Sequence, residues 1–169
     1  MNRKIENLKD LFIEQGRELY DAALLVQEEL PKIQKKVSNP KLRAIIEQEI
    51  LTAKKEEEGM QEIFRDINEK PEGEKNECCS AVLSHSKKII NRSKDAMVRD
   101  AAIINSLQRL NHNKITGFGS MTAYAKEIGR DKIAHQLHEK LEREKELDKE
   151  LSFLAQHEIN HKAAMVYAL

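Results

Sequence analysis

The sequence predicts an all-α fold, a bundle of four long helices with one shorter helix between the second and the third. Apolar residues recur at intervals of three and four along four long segments, which is the period of an amphipathic helix. Charged residues make up 34% of the 169 residues and aromatic residues only 4%, a composition typical of long helices. No segment of appreciable length alternates with a period of two, so no sheet is expected.

The first two helices are predicted from their apolar stripes and from the turn between them. The first runs from about Ile5 to Val37, and Pro31 should kink it or mark a local irregularity. In the turn "SNP", Asn39 is the predicted N-cap and Pro40 the first helical residue. The second helix then reaches about Ile67. Each helix needs partners that cover its apolar stripe.

The second half of the chain contains the remaining helices. The polar segment "NEKPEGEKNE" is typical of a loop, and a short helix follows from about Cys79 to Arg92. The third long helix spans roughly Asp95 to Ile128, with Gly129 as its C-terminal cap. Asp131 is predicted to cap the last helix. Four long amphipathic helices favour a four-helix bundle, and the long connection that holds the short helix permits a crossover.

Length, charge and cysteine content exclude several classes of protein. The chain of 169 residues fits a single domain over 1–169, and its 29 basic and 29 acidic residues balance, so no global field favours nucleic acid as a partner. No apolar run approaches the roughly 18 residues of a membrane span. Cys78 and Cys79 are adjacent, which makes a disulfide between them strained. We therefore expect a cytoplasmic protein with reduced thiols.

Polar residues interrupt the apolar faces of the third and last long helices. At about 100° per residue, Asn111 and Lys114 lie inside the apolar arc of the third helix, with His112 toward its edge. On the last helix Glu144 lies at the centre of the arc, and Asp148 is about 40° away and also inward. A buried stripe is therefore expected to hold an amide, an ammonium and two carboxylates.

The second helix shows the same interruption at the same height, whereas the first does not. Glu56 and Glu57 lie on the inward side of the second helix, and the corresponding level of the first helix is apolar, with Ala22 and Ala23. Inward carboxylates at mid-height are how di-iron bundles build their metal site, because hard oxygen ligands bind iron and neutralise its charge. The alternative is that these long side chains extend outward to solvent.

Several longer strings carry a family resemblance that covers nearly the whole chain. In order along the chain, these strings are "LFIEQGRELYDA", "LPK", "NPKLRA", "VRDAAII", "GFGSMTAYAKEIG" and "HEKLEREKELDKEL". With them the sequence resembles the YciE/YciF family of bacterial ferritin-like proteins, which is associated with stress. The resemblance implies a ferritin-like four-helix bundle with an additional short helix in the long crossover connection.

The resemblance also implies metal-ligand positions, and several of them are rewritten in this chain. Ala23 stands where the family has a glutamate on the first helix, and Thr52 where it has one on the second. The Glu-His-x-Glu motif of the third helix reads Asn111-His112-Asn113-Lys114. Carboxylates have thus been lost, and one position has become a cation.

Two interpretations of the polar layer follow. In the first, Lys114 neutralises the remaining carboxylates in place of a metal, and the chain is a non-catalytic structural or interaction protein with no catalytic residue, no bound metal and no cofactor. In the second, Glu56, Glu144 and Asp148 bind iron or manganese, with Glu49 or Glu57 as a further ligand. A third and weaker interpretation is a helical lipid-binding or granule-surface protein, which has no use for an inward polar layer.

Two further features bear on function. "HEINH", residues 157 to 161, matches the H-E-x-x-H string of zinc proteases, but no third ligand follows it and we expect a solvated helix end. Tyr20, Leu24 and Leu25 lie outside the main stripe of the first helix, and a single bundle need not cover them. We therefore expect a homodimer, with any other protein partner unknown.

Overall fold

The computed structural model describes residues 4–166, and within that range every regular element is helical and no strand occurs. The all-α class and the five predicted helices are confirmed. In chain order the elements are α1 (Leu8–Gln34), α2 (Pro40–Asp66), α3 (Glu77–Arg92), α4 (Ala96–Glu127), α5 (Asp131–Leu154), a π-helical turn (Ala155–Ile159) and α6 (Asn160–Met165).

Capping groups explain where the helices begin and end, and they correct two predictions. The side chain of Asn7 accepts a hydrogen bond from the Asp10 amide at 3.0 Å, so α1 begins at Leu8 and not at Ile5. The side chain of Asn39 caps α2 as predicted. Gly129 adopts φ +72° after α4, as its role as a C-terminal cap requires.

The predicted N-cap of the last helix is wrong by one residue. Arg130 occupies the N-cap position without a side-chain hydrogen bond, and Asp131 is the first residue of α5. There its carboxylate still lies in the first turn, where the helix dipole favours negative charge. Pro31 lies within α1, which continues past it to Gln34.

The chain crosses the length of the bundle between α2 and α4. Arg17 donates to the backbone carbonyl of Lys70 at 3.1 Å, so the end of α2 lies beside the beginning of α1. Arg99 donates to the carbonyl of Lys36 at 3.1 Å, so α4 begins beside the end of α1. The connection that holds α3 therefore returns the chain to the opposite end, α2 and α4 run parallel, and the predicted ferritin-like crossover is confirmed.

Two apolar clusters fill the bundle above and below one polar level. On α4 and α5 the first cluster ends where the buried polar residues begin and the second starts beyond them, whereas on α2 Ala53 of the first cluster lies between the buried Glu49 and Glu56. Core residues of the first cluster include Val26, Leu30, Ile46, Ile103 and Leu151, and those of the second include Phe12, Phe64, Phe118, Met121 and Leu137.

Close contact between α1 and α4 depends on a small residue. A Cβ atom placed on Gly117 would lie 2.7 Å from Leu19 Cδ2, which is too short for any real side-chain contact. The glycine in "GFG" therefore lets the two helices approach, as its position inside a predicted helix suggested. Within residues 4–166, no helix combines the length and the apolar character that crossing a membrane requires.

The turn between α1 and α2 is fastened from two sides by acidic groups. Asp100, at 1% exposure, accepts hydrogen bonds from the backbone amides of Ser38 at 3.0 Å and Asn39 at 2.8 Å, and also from the Ser38 hydroxyl. From the other side, Glu158 accepts from Asn39 Nδ2 at 2.9 Å and pairs with Lys41 at 2.7 Å. These contacts join the turn to α4 and to the C-terminal segment.

Candidate functional site

The charged residues of the polar level come from two positions on α2, which are two helical turns apart, and from one position each on α4 and α5. Glu49 and Glu56 are spaced i,i+7, so both face the inside of the bundle. Lys114 reaches in from α4 at 4% exposure, and Glu144 from α5 at 0% exposure. Three carboxylates and one ammonium are thus removed from water together.

Lys114 lies at the centre of this cluster. Its Nζ atom lies 3.0 Å from Glu144 Oε1 and 3.1 Å from Glu56 Oε1. The third carboxylate is more distant, with Glu49 Oε2 at 3.4 Å. Because a lysine ammonium carries three hydrogens, it can face one carboxylate with each of them. Lys114 was expected to pair with Glu144, Asp148 or Glu56; it contacts Glu144 and Glu56, and Asp148 is not among its ion-pair partners in the described residues.

Asn111 supports the cluster from the same face of α4, one turn before Lys114. Its Nδ2 donates to Glu144 Oε2 at 2.8 Å and to the Glu144 backbone carbonyl at 3.0 Å. The amide thereby holds the Glu144 carboxylate in one orientation, with its other oxygen toward the ammonium. Asn111 is itself buried, at 2% exposure. Because it donates a hydrogen bond to a buried carboxylate, an amide can lie within an otherwise apolar stripe.

Burial dominates the electrostatics of the acids. It raises the pKa of Glu144 to about 8, and Glu56 and Glu49 add to the rise while Lys114 opposes it. Burial also raises the pKa of Glu49, against the lowering effect of Lys114. Three carboxylates share one cation, so the cluster favours one retained proton near neutral pH.

The ammonium responds in the opposite direction. Burial acts to lower the pKa of Lys114, but the three surrounding carboxylates outweigh it and hold the pKa well above the ordinary value of 10.5. Lys114 is therefore a permanent cation over the physiological range. Each partner makes burial of the other tolerable, and removal of either leaves an uncompensated charge.

Two acids that were expected inward take other positions. Asp148 is half-buried and lies apart from Lys114; its Oδ1 lies 3.0 Å from His112 Nε2. Glu57 is also half-buried and accepts from Gln27 Nε2 at 2.8 Å. Asp148 is displaced because its angular offset from Glu144 brings it to the edge of the α4–α5 contact. The third carboxylate of the cluster is Glu49, which the sequence interpretation named only as an additional ligand.

The donor set does not fit a pair of metal ions. Ala23, buried at 2% exposure, offers no ligand from α1, and Thr52 offers only a neutral hydroxyl. A divalent ion about 4 Å from the Lys114 ammonium would meet a repulsion of about 8 kcal/mol at an effective dielectric constant of about 20. Within residues 4–166, no group of three or more histidine, cysteine, aspartate or glutamate side chains is placed to hold a metal ion.

The zinc-protease-like string adopts a structural arrangement. Glu158 pairs with Lys162 and Lys41 and accepts from Asn39, and together these contacts lower its pKa to about 2. His157 stacks on Phe153, with ring centroids 4.2 Å apart. The carboxylate that a protease would use as a general base is thus committed to fastening the C-terminal segment. Cys78 and Cys79 are free, and only Cys79 is buried.

Comparison with known proteins identifies the family. The model of a domain of unknown function, DUF892, matches residues 7–164. The chain belongs to this family. Protein YciF of Escherichia coli K12 is 28% identical over 164 residues, which is 96% of this chain and 98% of YciF. Membership in the YciE/YciF family, predicted from the motifs, is confirmed.

Two solved structures share the fold over nearly their whole length. The E. coli stress protein YciF superposes with a TM-score of 0.87 at 26% identity, and covers 92% of this chain and 99% of its own. YcfI of Rhodopseudomonas palustris, whose description proposes a structural role, gives a TM-score of 0.86 at 26% identity and covers 90% and 97%. The first is described as a stress protein and the second by a structural role, and neither is described as an enzyme.

Proposed function

We propose that this protein is a non-catalytic structural or interaction protein of a stress-associated family, in which Lys114 occupies the place of a di-metal site. The observation that carries the proposal is the contact of one buried ammonium with three carboxylates at 3.0 to 3.4 Å. The ammonium supplies the positive charge that a metal would supply to the same acids.

The relatives support the same conclusion at a coarser level. One is described as a stress protein and the other is described by a structural role. The proposal places the protein in the cytoplasm, which its two free cysteines support. It also gives the polar layer a role in specifying the fold. A buried ion cluster fixes the register of α2, α4 and α5, because a shift of one helix along another would separate charges that are buried together.

Elemental analysis of the intact protein tests the proposal directly. Protein purified without chelators should contain iron and manganese far below one ion per chain. Stoichiometric iron bound by Glu144 and Glu56 would overturn the proposal and establish a metal-binding function for the remaining carboxylates. Removal of metal by a chelator should leave the unfolding temperature unchanged, since no ion contributes to the native state.

A rebuilt ligand set provides the complementary experiment. The triple variant Ala23→Glu, Asn111→Glu and Lys114→Glu restores the carboxylates that the family resemblance implies, and it should acquire manganese or iron affinity that the parent lacks. The matched control replaces the same three residues by glutamine, which has similar size and no charge. Equal metal uptake by the parent, the control and the glutamate variant would contradict the assignment of these positions.

A further inference from the structure

A surface groove lies between α2 and α5, which contact each other at few positions. Its volume is about 500 Å³, which lies in the range of small-molecule sites, about 300 to 1,000 Å³. Glu49 lines this groove and also a small inner cavity that Asn111 and Lys114 border, so the groove leads toward the polar cluster. The apolar residues that line it are Ala44, Ile45, Leu147, Phe153 and Leu154.

An exposed aromatic ring lies at the opening of the groove. Phe153 is 64% exposed, and its ring stacks on His157 at an interplanar angle of 23°. The imidazole is itself held, because His157 Nδ1 lies 2.9 Å from the Phe153 carbonyl oxygen. An exposed, stacked ring of this kind presents a large apolar surface and a face that attracts cations.

The charges around the groove leave one carboxylate without a counter-ion. Lys41 pairs with Glu158 at 2.7 Å, and Glu49 faces the buried Lys114. In the part of the chain that the structure describes, no basic side chain forms an ion pair with Glu150, which also lines the groove. The negative charge of Glu150 beside an exposed aromatic ring is complementary to a cation.

We propose that this groove binds an organic cation with an apolar body, such as an alkylammonium compound. Its ammonium group lies between the Glu150 carboxylate and the face of Phe153, and its chain lies along Ile45 and Leu147. Glu150 and Phe153 also line the adjoining stretch of the groove, together with Lys55, Arg143 and Lys149, and Lys149 pairs with Glu146 at 2.6 Å. These basic side chains restrict an ammonium group to the immediate neighbourhood of the Glu150 carboxylate. The site lies outside the buried cluster, so it stands independently of the proposed non-catalytic role.

Isothermal titration calorimetry of the full chain with decylammonium, below its aggregation concentration, tests the proposal. Decyl sulfate and decanol are the comparison ligands, with the same chain and a negative or neutral head. Decylammonium should bind at one site and at least about tenfold more tightly than either, since the carboxylate and the aromatic face both favour a cationic head group. Equal or tighter binding of decyl sulfate, or no binding of decylammonium, would overturn the proposal.

Variants locate the site on the groove. Glu150→Gln should weaken decylammonium binding about fivefold without affecting decanol, and Phe153→Ala should weaken both ligands about tenfold. Glu47→Gln is the matched control, since Glu47 is an exposed carboxylate on α2 outside the groove lining. Unchanged binding by both groove variants would contradict the assignment. A change of sedimentation in Phe153→Ala, together with absent ligand binding, would assign the groove to a second copy of the chain and reject the ligand.

Discussion

Lys114 is the residue on which the polar cluster depends. Its ammonium contacts three buried carboxylates, and burial raises the pKa of two of them, Glu144 and Glu49. Its side chain is 5% exposed and that of Glu144 is fully buried, so water cannot compensate either charge. The cost of burying these groups is offset only while the cation and the acids are present together.

Lys114→Met should therefore destabilise the fold more than an ordinary core substitution. The change keeps an unbranched side chain of similar size and removes the charge. It therefore leaves the acids without a cation, and we expect a loss of about 3 kcal/mol or more in the free energy of unfolding. Urea denaturation at pH 7 measures it. The loss should shrink at lower pH, where the stranded acids protonate. Lys132→Met, which breaks a surface pair with Asp66 at 3.5 Å, is the control and should cost less than about 1 kcal/mol.

Glu144 should give the protein a characteristic dependence of stability on pH. Its pKa rises from 4.5 to about 8 on folding, so between these values the native state holds a proton that the unfolded state has lost. The contribution of this group to stability is fully present below pH 4.5 and is lost as pH rises through about 8.

Glu144→Gln removes this titration while it preserves the shape of the side chain. The decline in unfolding free energy between pH 5 and 8 should be smaller in the variant by at least about 2 kcal/mol. Urea denaturation at several pH values in that range compares the two proteins. Parallel profiles for the parent and the variant would show that Glu144 carries no retained proton.

At the scale of the elements, the turn between α1 and α2 is set by Asp100 of α4. This carboxylate satisfies two backbone amides that neither helix can satisfy, those of Ser38 and Asn39. The strings "NPKLRA" and "VRDAAII", which carry the family resemblance, meet at this contact. In this chain the two strings are therefore joined by a structural contact.

Asp100→Ala should destabilise the protein because it leaves the backbone amides of Ser38 and Asn39 without this acceptor. We expect a loss of about 2 kcal/mol or more in the free energy of unfolding, measured by urea denaturation at pH 7. Asp66→Ala is the matched control, since Asp66 is exposed and forms one surface ion pair, and it should cost less than about 1 kcal/mol. A similar small loss for both variants would mean that the turn does not depend on Asp100.

At the scale of the whole molecule, exposed apolar side chains on α1 and α2 support the proposed homodimer. Leu24 is 38% exposed and Leu51 is 54% exposed. The other residues expected at this surface differ: Tyr20 is buried, with its hydroxyl accepting from Gln61 at 3.2 Å, and Leu25 is half-buried against the core. The exposed apolar surface is thus smaller on α1 than the sequence suggested, and it includes α2.

Sedimentation velocity at micromolar concentration should report a dimer. Leu51→Glu and Leu24→Glu should each shift the equilibrium toward the monomer, because a carboxylate would replace an apolar side chain in the contact. Thr116→Glu places the same charge at an exposed position of α4 and should leave the dimer intact. A monomer throughout the concentration range would reject the dimer.

The sequence by itself determined the helical class, the five longest helices and the family, and it permitted the crossover. These follow from local causes: the spacing of apolar residues, the caps at Asn39 and Gly129, and motifs that remain in order. The sequence also determined that Lys114, Asn111 and Glu144 face inward, because one helix fixes the angular position of its own residues. The i,i+7 spacing of Glu49 and Glu56 could have predicted that Glu49 also faces inward, because residues seven apart lie on the same face of a helix.

Only the tertiary structure decided which inward groups meet. Angular position gives no distance between helices, so Asp148, at 40° from the centre of its stripe, could not be distinguished from Glu49 as the third acid. The rotation of α5 against α4 places Asp148 beside His112 at the surface, and the parallel run of α2 brings Glu49 to Lys114. Packing between helices likewise decided that Tyr20 is buried. Contacts between helices depend on relative rotation and translation, which the period of a single helix does not encode.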